Sequence, residues 1–289
     1  MRSKGIVPYL YLVPALALVS IFLLIPMAYT LFISFTKWDG LTPPRFVGFS
    51  NYLRFVRDHV FFTSLINTFI WVILTLALPV ALGLFIAVGI SRIRAANIFK
   101  SILYIPLTLS AVTTGIIWTL IYSPELGVVN TTLRSIGLGF LTRSWLTEVP
   151  LNTYAMIASW SWKMTGLNMA IFLMGLTTLP TEPIEAAKLE GASGWQTFAY
   201  VIFPMLRPTT TIVVAMSLIN SFNVFDIIYV MTDGGPYRSS ETLAVTMYRE
   251  SFVLFRMGYG AAIAIFLSIL VLIVSGTYIK EMLKRGIKY

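Results

Sequence analysis

Three polar side chains stand three residues apart in an apolar stretch, Asn220, Asn223 and Asp226 within 201–230. At helical spacing they form one slowly turning stripe. Two amides and a carboxylate accept from or donate to hydroxyl groups, so the stripe suits a hydroxyl-rich solute. Phe222, Phe225 and Tyr229 interleave with it, and aromatic faces suit the apolar face of a sugar ring. The competing use of such groups is hydrogen bonding between helices. A second apolar stretch, 151–178, carries Trp160, Trp162, Lys163 and Asn168. An ammonium at that depth needs a partner or water. Lys163 either meets Asp226 or extends its aliphatic stem toward the outer face. Trp160 and Trp162 either line a solute path or sit in an interfacial belt. The ligand candidates are therefore Asn223 and Asp226 first, then Asn220, Trp160 and Lys163.

Between these two stretches lies a polar segment, Thr181 to Pro208, reading TEPIEAAKLEGASGWQTFAYVIFPMLRP. Thr181 is placed to N-cap a helix, and Pro183 suits a first turn where its missing N–H needs no partner. Glu182 and Glu185 sit where the helix dipole favours negative charge. Gly191 provides a left-handed stop. Ser193 opens a second helix, with Gln196 in capping-box register. Two short helices with a glycine corner are expected over 181–200, at a membrane face between two spans.

The elements that must position these residues are membrane helices. Of 289 residues, 57% are apolar and 11% charged, against about 25% charged in soluble domains. The expected fold is an all-α membrane protein of six spans, at about 7–35, 62–89, 101–122, 151–178, 201–230 and 258–279. Pro14 and Pro26 mark kinks in the first. There is no cysteine, hence no disulfide or thiol chemistry. The net charge of +9 points to basic loops facing anionic lipid rather than to nucleic acid. Arg2, Lys4, Arg92, Arg94, Lys100, Lys280, Lys284, Arg285 and Lys288 gather at the two ends and in one turn. By the positive-inside rule both termini and the 181–200 loop face the cytoplasm. Thr232-Asp233-Gly234-Gly235-Pro236 reads as a tight outer turn. No G-x-x-x-x-G-K-[ST] loop occurs, so ATP hydrolysis is not expected here. The single histidine, His59, falls in a polar connection, and no nucleophile–base pair or metal-ligand cluster stands out.

Glu185-Ala186-Ala187, Gly191 and Val201-x-Phe203-Pro204 together resemble the EAA loop of ABC importer permeases. Val201 and Phe203 stand where that pattern usually has Ile and Leu. The run from Phe222 to Pro236, FNVFDIIYVMTDGGP, and the run from Gly175-Leu176 to Pro180 resemble the carbohydrate permeases of the maltose and glycerol-phosphate kind. The likeness covers essentially the whole chain, most specifically Trp160 to Gly260. It implies one permease domain over 1–289 with the type I importer fold, forming half of a translocation pathway that works by alternating access. Glu185, Ala186, Ala187 and Gly191 would couple it to ATPase subunits. The implied partners are a second homologous permease, two cytoplasmic ABC ATPases, an extracytoplasmic solute-binding protein, the sugar and the lipid of a prokaryotic plasma membrane. No cofactor belongs to this chain, because ATP is bound by the partners. Other readings are a permease for a different polar solute such as glycerol phosphate, a secondary transporter, or an intramembrane enzyme. Asp226 lacks the carboxylate cluster that ion coupling favours, and no catalytic constellation supports an enzyme.

Overall fold

The computed structural model describes residues 7–91 and 96–286. Arg2, Lys4, Arg92, Arg94 and Lys288 lie outside the described residues. The chain is helical almost throughout. Helix α1 (Val7–Val19) runs through a π-helical turn at Ser20–Leu24 into α2 (Ile25–Ser34). Pro26, just after that turn, has no N–H with which to continue the regular ladder. A two-stranded hairpin follows, β1 (Thr36–Lys37) antiparallel to β2 (Arg45–Phe46), and then α3 (Ser50–Phe55). Next come α4 (His59–Ile90), α5 (Ala96–Thr108), α6 (Ala111–Ile121), α7 (Val128–Ser135) and α8 (Leu151–Thr177). The remaining α-helices are α9 (Glu182–Leu189), α10 (Gly194–Thr197), α11 (Phe203–Met205), α12 (Arg207–Phe222), α13 (Asp226–Thr232), α14 (Leu243–Tyr248) and α15 (Met257–Gly286), with a π-helical turn at Phe198–Ile202 joining α10 to α11.

The chain divides into two compact units. The first joins the segment up to Phe61 with Thr246–Ile269. It is tied by polar bonds among neighbouring aromatics. The Asn51 amide donates to the carbonyls of Ser34 and Thr36, both at 2.8 Å. Tyr259 donates to Asp58 at 2.7 Å, while the Arg54 guanidinium lies 4.0 Å above the Tyr259 ring. Buried Glu250 receives Arg256 at 3.3 Å. A carboxylate removed from water needs such partners.

The second unit joins Phe62–Val245 with the segment from Leu270. Helix α8 runs through its middle. Met156 and Ile157 pack with Trp71, Tyr122, Val224, Ile227 and Ile228 in one apolar cluster. Met169, Phe172 and Leu173 pack with Ala87, Ile90 and Val213 in another. Covered by protein along most of its length, α8 has no need of a lipid-facing apolar surface and tolerates Asn152, Lys163 and Asn168.

Three described helices are long and apolar enough to cross a membrane: Tyr11–Ser34, His59–Ile90 and Met257–Met282. Two bent pairs would raise that number to five. One pair corrects the expectation of a single helix over 101–122: α5 and α6 meet at 101°. Pro106 removes a backbone donor near the end of α5. Ser110, extended at ψ 159°, then caps α6 by accepting from the Thr113 N–H at 3.0 Å. The other pair corrects the single helix expected over 201–230. The segment Gly194–Met205 meets α12 at 69°, with Pro204 and Pro208 flanking the bend. The same stretch is interrupted again between α12 and α13.

Candidate functional site

The second interruption carries the polar stripe. Helix α12 ends at Phe222, and Asn223 has left helical geometry with φ −96° and ψ 15°. Its side-chain amide donates to the Ile219 carbonyl at 3.1 Å. That carbonyl is the one its own backbone N–H would bond in a continued helix, so the amide competes with the helix. Phe225, at φ −132° and ψ −60°, leads into α13, of which Asp226 is the first residue. The helical spacing expected across the stripe is therefore broken after Asn220. All three residues nonetheless stay on the surface of the chain: Asn220, Asn223 and Asp226 are exposed, as are Met216 and Ile219, while Ser221, Phe222 and Val224 are buried.

Lys163 is separate from the stripe. It is buried on α8, and its Nζ donates to the Leu109 carbonyl at 2.6 Å. Leu109 sits at the bend between α5 and α6, where the last carbonyls of α5 have lost helical donors. A cation there also complements the negative end of the helix. Of the two readings for Lys163, the meeting with Asp226 does not take place as a hydrogen bond or ion pair among the described residues; the ammonium is used on the Leu109 carbonyl. The bend in 101–122 supplies that acceptor.

Trp160 and Asn220 do come together. They line a small cleft with Thr75, Asn168, Ser217 and Ser221. The Thr75 and Ser221 hydroxyls lie 2.6 Å apart, and Ser217 donates to Asn168 Oδ1 at 3.4 Å. The Asn168 amide nitrogen is buried without a protein partner. Thr75 and Ser217 carry no signal by type, because an isolated hydroxyl in an apolar run usually bonds its own helix, as Thr75 also does to the Trp71 carbonyl. Trp162 is half-exposed and meets Trp118 edge-on at 5.7 Å.

The expected outer turn at 232–236 is part of a larger buried structure. Asn67 of α4 donates to the carbonyls of Ser239 and Glu241 at 2.7 and 2.9 Å. Asn152 of α8 donates to the Gly235 carbonyl at 2.9 Å. Both asparagines lie near the ends of long apolar runs, a signal of polar contact at depth whose target is not written in the local sequence.

The 181–200 segment folds as two short helices around Gly191, as its punctuation predicts. The Thr181 side chain makes no capping bond; that residue is already helical (φ −81°, ψ −27°) and its carbonyl takes the N–H groups of Ile184 and Glu185. The other end is a complete Schellman stop: Gly191 N–H reaches the Lys188 carbonyl at 3.1 Å and Ala192 N–H the Ala187 carbonyl at 3.0 Å. Gly191 supplies the left-handed φ of 84°. Ser193 and Gln196 form the capping box, at 3.3 and 2.7 Å. Glu185 and Ala186 are exposed and Ala187 half-buried, and α9 buries no residue of its own. Leu189, Trp195 and Tyr200 are 89%, 72% and 78% exposed.

Helices long and apolar enough to cross a membrane mark the class as a membrane protein. The chain belongs to the family described as binding-protein-dependent transport system inner membrane component, which matches residues 79–289. A probable ABC transporter permease protein of Pyrococcus horikoshii is 36% identical, over 96% of this chain and 97% of its own. A Synechocystis permease for uptake of osmoprotective compounds is 35% identical, over 94% and 97% of the two chains. An arabinooligosaccharide transport permease of Bacillus subtilis is 34% identical, over 94% and 87%. In fold the chain is similar to a bacterial ABC transporter that imports alginate, with a TM-score of 0.85 at 23% identity over 98% of this chain and 96% of that one.

Proposed function

We propose that this chain forms half of the solute pathway of an ATP-driven importer for a sugar or oligosaccharide. One observation carries the reading: the break at 223–225 turns Asn223 and Asp226 outward from the chain's own core. Groups used only to join helices would be covered by neighbours in the same chain. A second permease subunit, placed against this face, would enclose an aqueous path between the two. The arabinooligosaccharide relative supports a carbohydrate solute. The osmoprotectant relative favours a second reading, a small polar solute other than an oligosaccharide.

The drive would come from two cytoplasmic ABC ATPases docking on α9 and α10. An eight-residue helix without a buried face gains little from its own chain and is stabilised by what covers it. The helical line from α10 through α11 to α12 leads to Asn220 and the break. Rotation of the docked loop would move the stripe and present it alternately to the two sides. In this reading both termini lie on the cytoplasmic side, α8 is the fourth span in chain order and brings the total to six, and solute delivery is left to an extracytoplasmic binding protein. At about 40 Å from its 27 residues, α8 is long enough.

Affinity purification of the tagged chain from membranes tests the coupling. An ABC ATPase and a second permease should co-purify. Glu185→Lys should reduce the ATPase yield while the permease pair persists. A chain that purifies with the second permease and no ATPase would contradict the proposal.

A further inference from the structure

Residues 232–243 form a buried knot with an exposed tip, and the knot touches the break. Asp233, Gly234, Tyr237 and Arg238 all have left-handed backbone, with φ of 50°, 76°, 53° and 64°. Three of these are not glycine, so the surroundings must hold them in place. Glu241 is fully buried and takes Arg238 through two parallel bonds of 2.8 and 2.9 Å. Such a fork fixes direction as well as charge. Gly234 lies against the same side chain; a Cβ there would sit 2.5 Å from Glu241 Cγ. Asn67 binds the Glu241 carbonyl from α4.

The next residue, Thr242, is 1% exposed. Its hydroxyl donates to the Val224 carbonyl at 3.1 Å. Val224 lies inside the break, between Asn223 and Phe225. Past it, Leu243 N–H donates to the Thr68 hydroxyl at 3.0 Å, so Thr242 is held from both sides.

We propose that Thr242 is a positioning residue for the solute stripe: its hydroxyl, fixed by the Arg238–Glu241 pair and by Thr68, sets the break and thereby the direction of Asn223 and Asp226. This rests on the reading that the stripe lines the solute path. Without that bond the break has one tether fewer to the rest of the chain, and Asn223 samples other orientations. Valine in place of Thr242 removes the hydroxyl at nearly constant volume, while serine restores it.

The chain has no cysteine, so a single introduced one is the only thiol in it, and labelling is read on this chain after it is separated from its partners. Asn223→Cys in the full complex, in native membranes, is labelled with a small cationic methanethiosulfonate. Leu126→Cys, 88% exposed in the connection after α6, serves as control. Adding Thr242→Val should change the labelling rate at position 223 by roughly fivefold to tenfold, the shift expected from losing one hydrogen bond. Thr242→Ser should match the parent, and the control rate should stay constant. A reactive Asn223→Cys with an unchanged rate in Thr242→Val overturns the positioning role and leaves the solute path standing. An Asn223→Cys that is unreactive in every background overturns both. If Thr242→Val and Thr242→Ser behave alike, including shared loss from the membrane, the hydroxyl is not the determinant and the proposal falls.

Discussion

Lys163 brings an ammonium into the middle of the second unit and uses it on one backbone carbonyl, that of Leu109. If holding that carbonyl is its role, Lys163→Met should lower the stability of the purified complex by about 1–3 kcal/mol, the cost of leaving a buried acceptor unpaired. Thermal unfolding in detergent reads this directly. Unchanged unfolding together with lost uptake would instead make Lys163 a solute ligand. Gly191 presents a different requirement, because no atom lies within 4 Å of the Cβ an alanine would add. Its constraint is conformational, φ 84° in a Schellman stop. Gly191→Ala should therefore cost about 1–2 kcal/mol locally. Faster proteolysis between α9 and α10 is the expected signature, and unchanged cleavage would count against it. Both residues were visible in the sequence. The role of Gly191 was legible there because its motif is local. The partner of Lys163 was not, because it depends on a bend in another span.

At the scale of elements, close approach between helices explains where the spans can break and still hold together. A side chain at Gly166 of α8 would run into the Leu103 carbonyl of α5, and one at Gly83 of α4 would sit 2.7 Å from Asn168 Cβ. These glycines let α4 and α5 lie against α8. Gly166→Ala should destabilise the complex by about 1–3 kcal/mol, as overpacking does in well-filled interiors. Gly276→Ala, with nothing within 4 Å, should raise helix propensity without strain. Equal unfolding temperatures for the two variants would show that α5 does not pack as described. The sequence conveyed the helices themselves, since apolar runs of that length have few other folds. It conveyed the bends poorly. Pro106 and Ser110 are ordinary residues in membrane helices, and the corner they make is seen only together with the Lys163 ammonium that donates to the Leu109 carbonyl. The break after Phe222 was likewise hidden: Asn223 fits a helical stripe by spacing, and its side-chain bond to Ile219 appears only in three dimensions. Gly-Gly-Pro signals the tight turn at 232–236, which is present, but not the buried residues around it, because the asparagines that bind them lie far away in sequence.

At the scale of the whole molecule, two surfaces of this chain ask for partners. One is the two-helix loop, with Leu189, Trp195 and Tyr200 turned outward. The other is the stripe of Asn220, Asn223 and Asp226. The family relation establishes a component of binding-protein-dependent transport in the inner membrane. The proposal that solute passes along the stripe is tested most directly by ATP-dependent uptake in proteoliposomes holding the full complex and its solute-binding protein. The labelled solute is the one that protein binds in an affinity panel of sugars and polyols. Asn223→Ala and Asp226→Asn should each reduce uptake by about tenfold, equivalent to about 1.4 kcal/mol of lost solute contact. Assembly and basal ATP hydrolysis should be retained. Parental uptake in both variants, or loss of uptake only through failed assembly, would show that the solute takes another path.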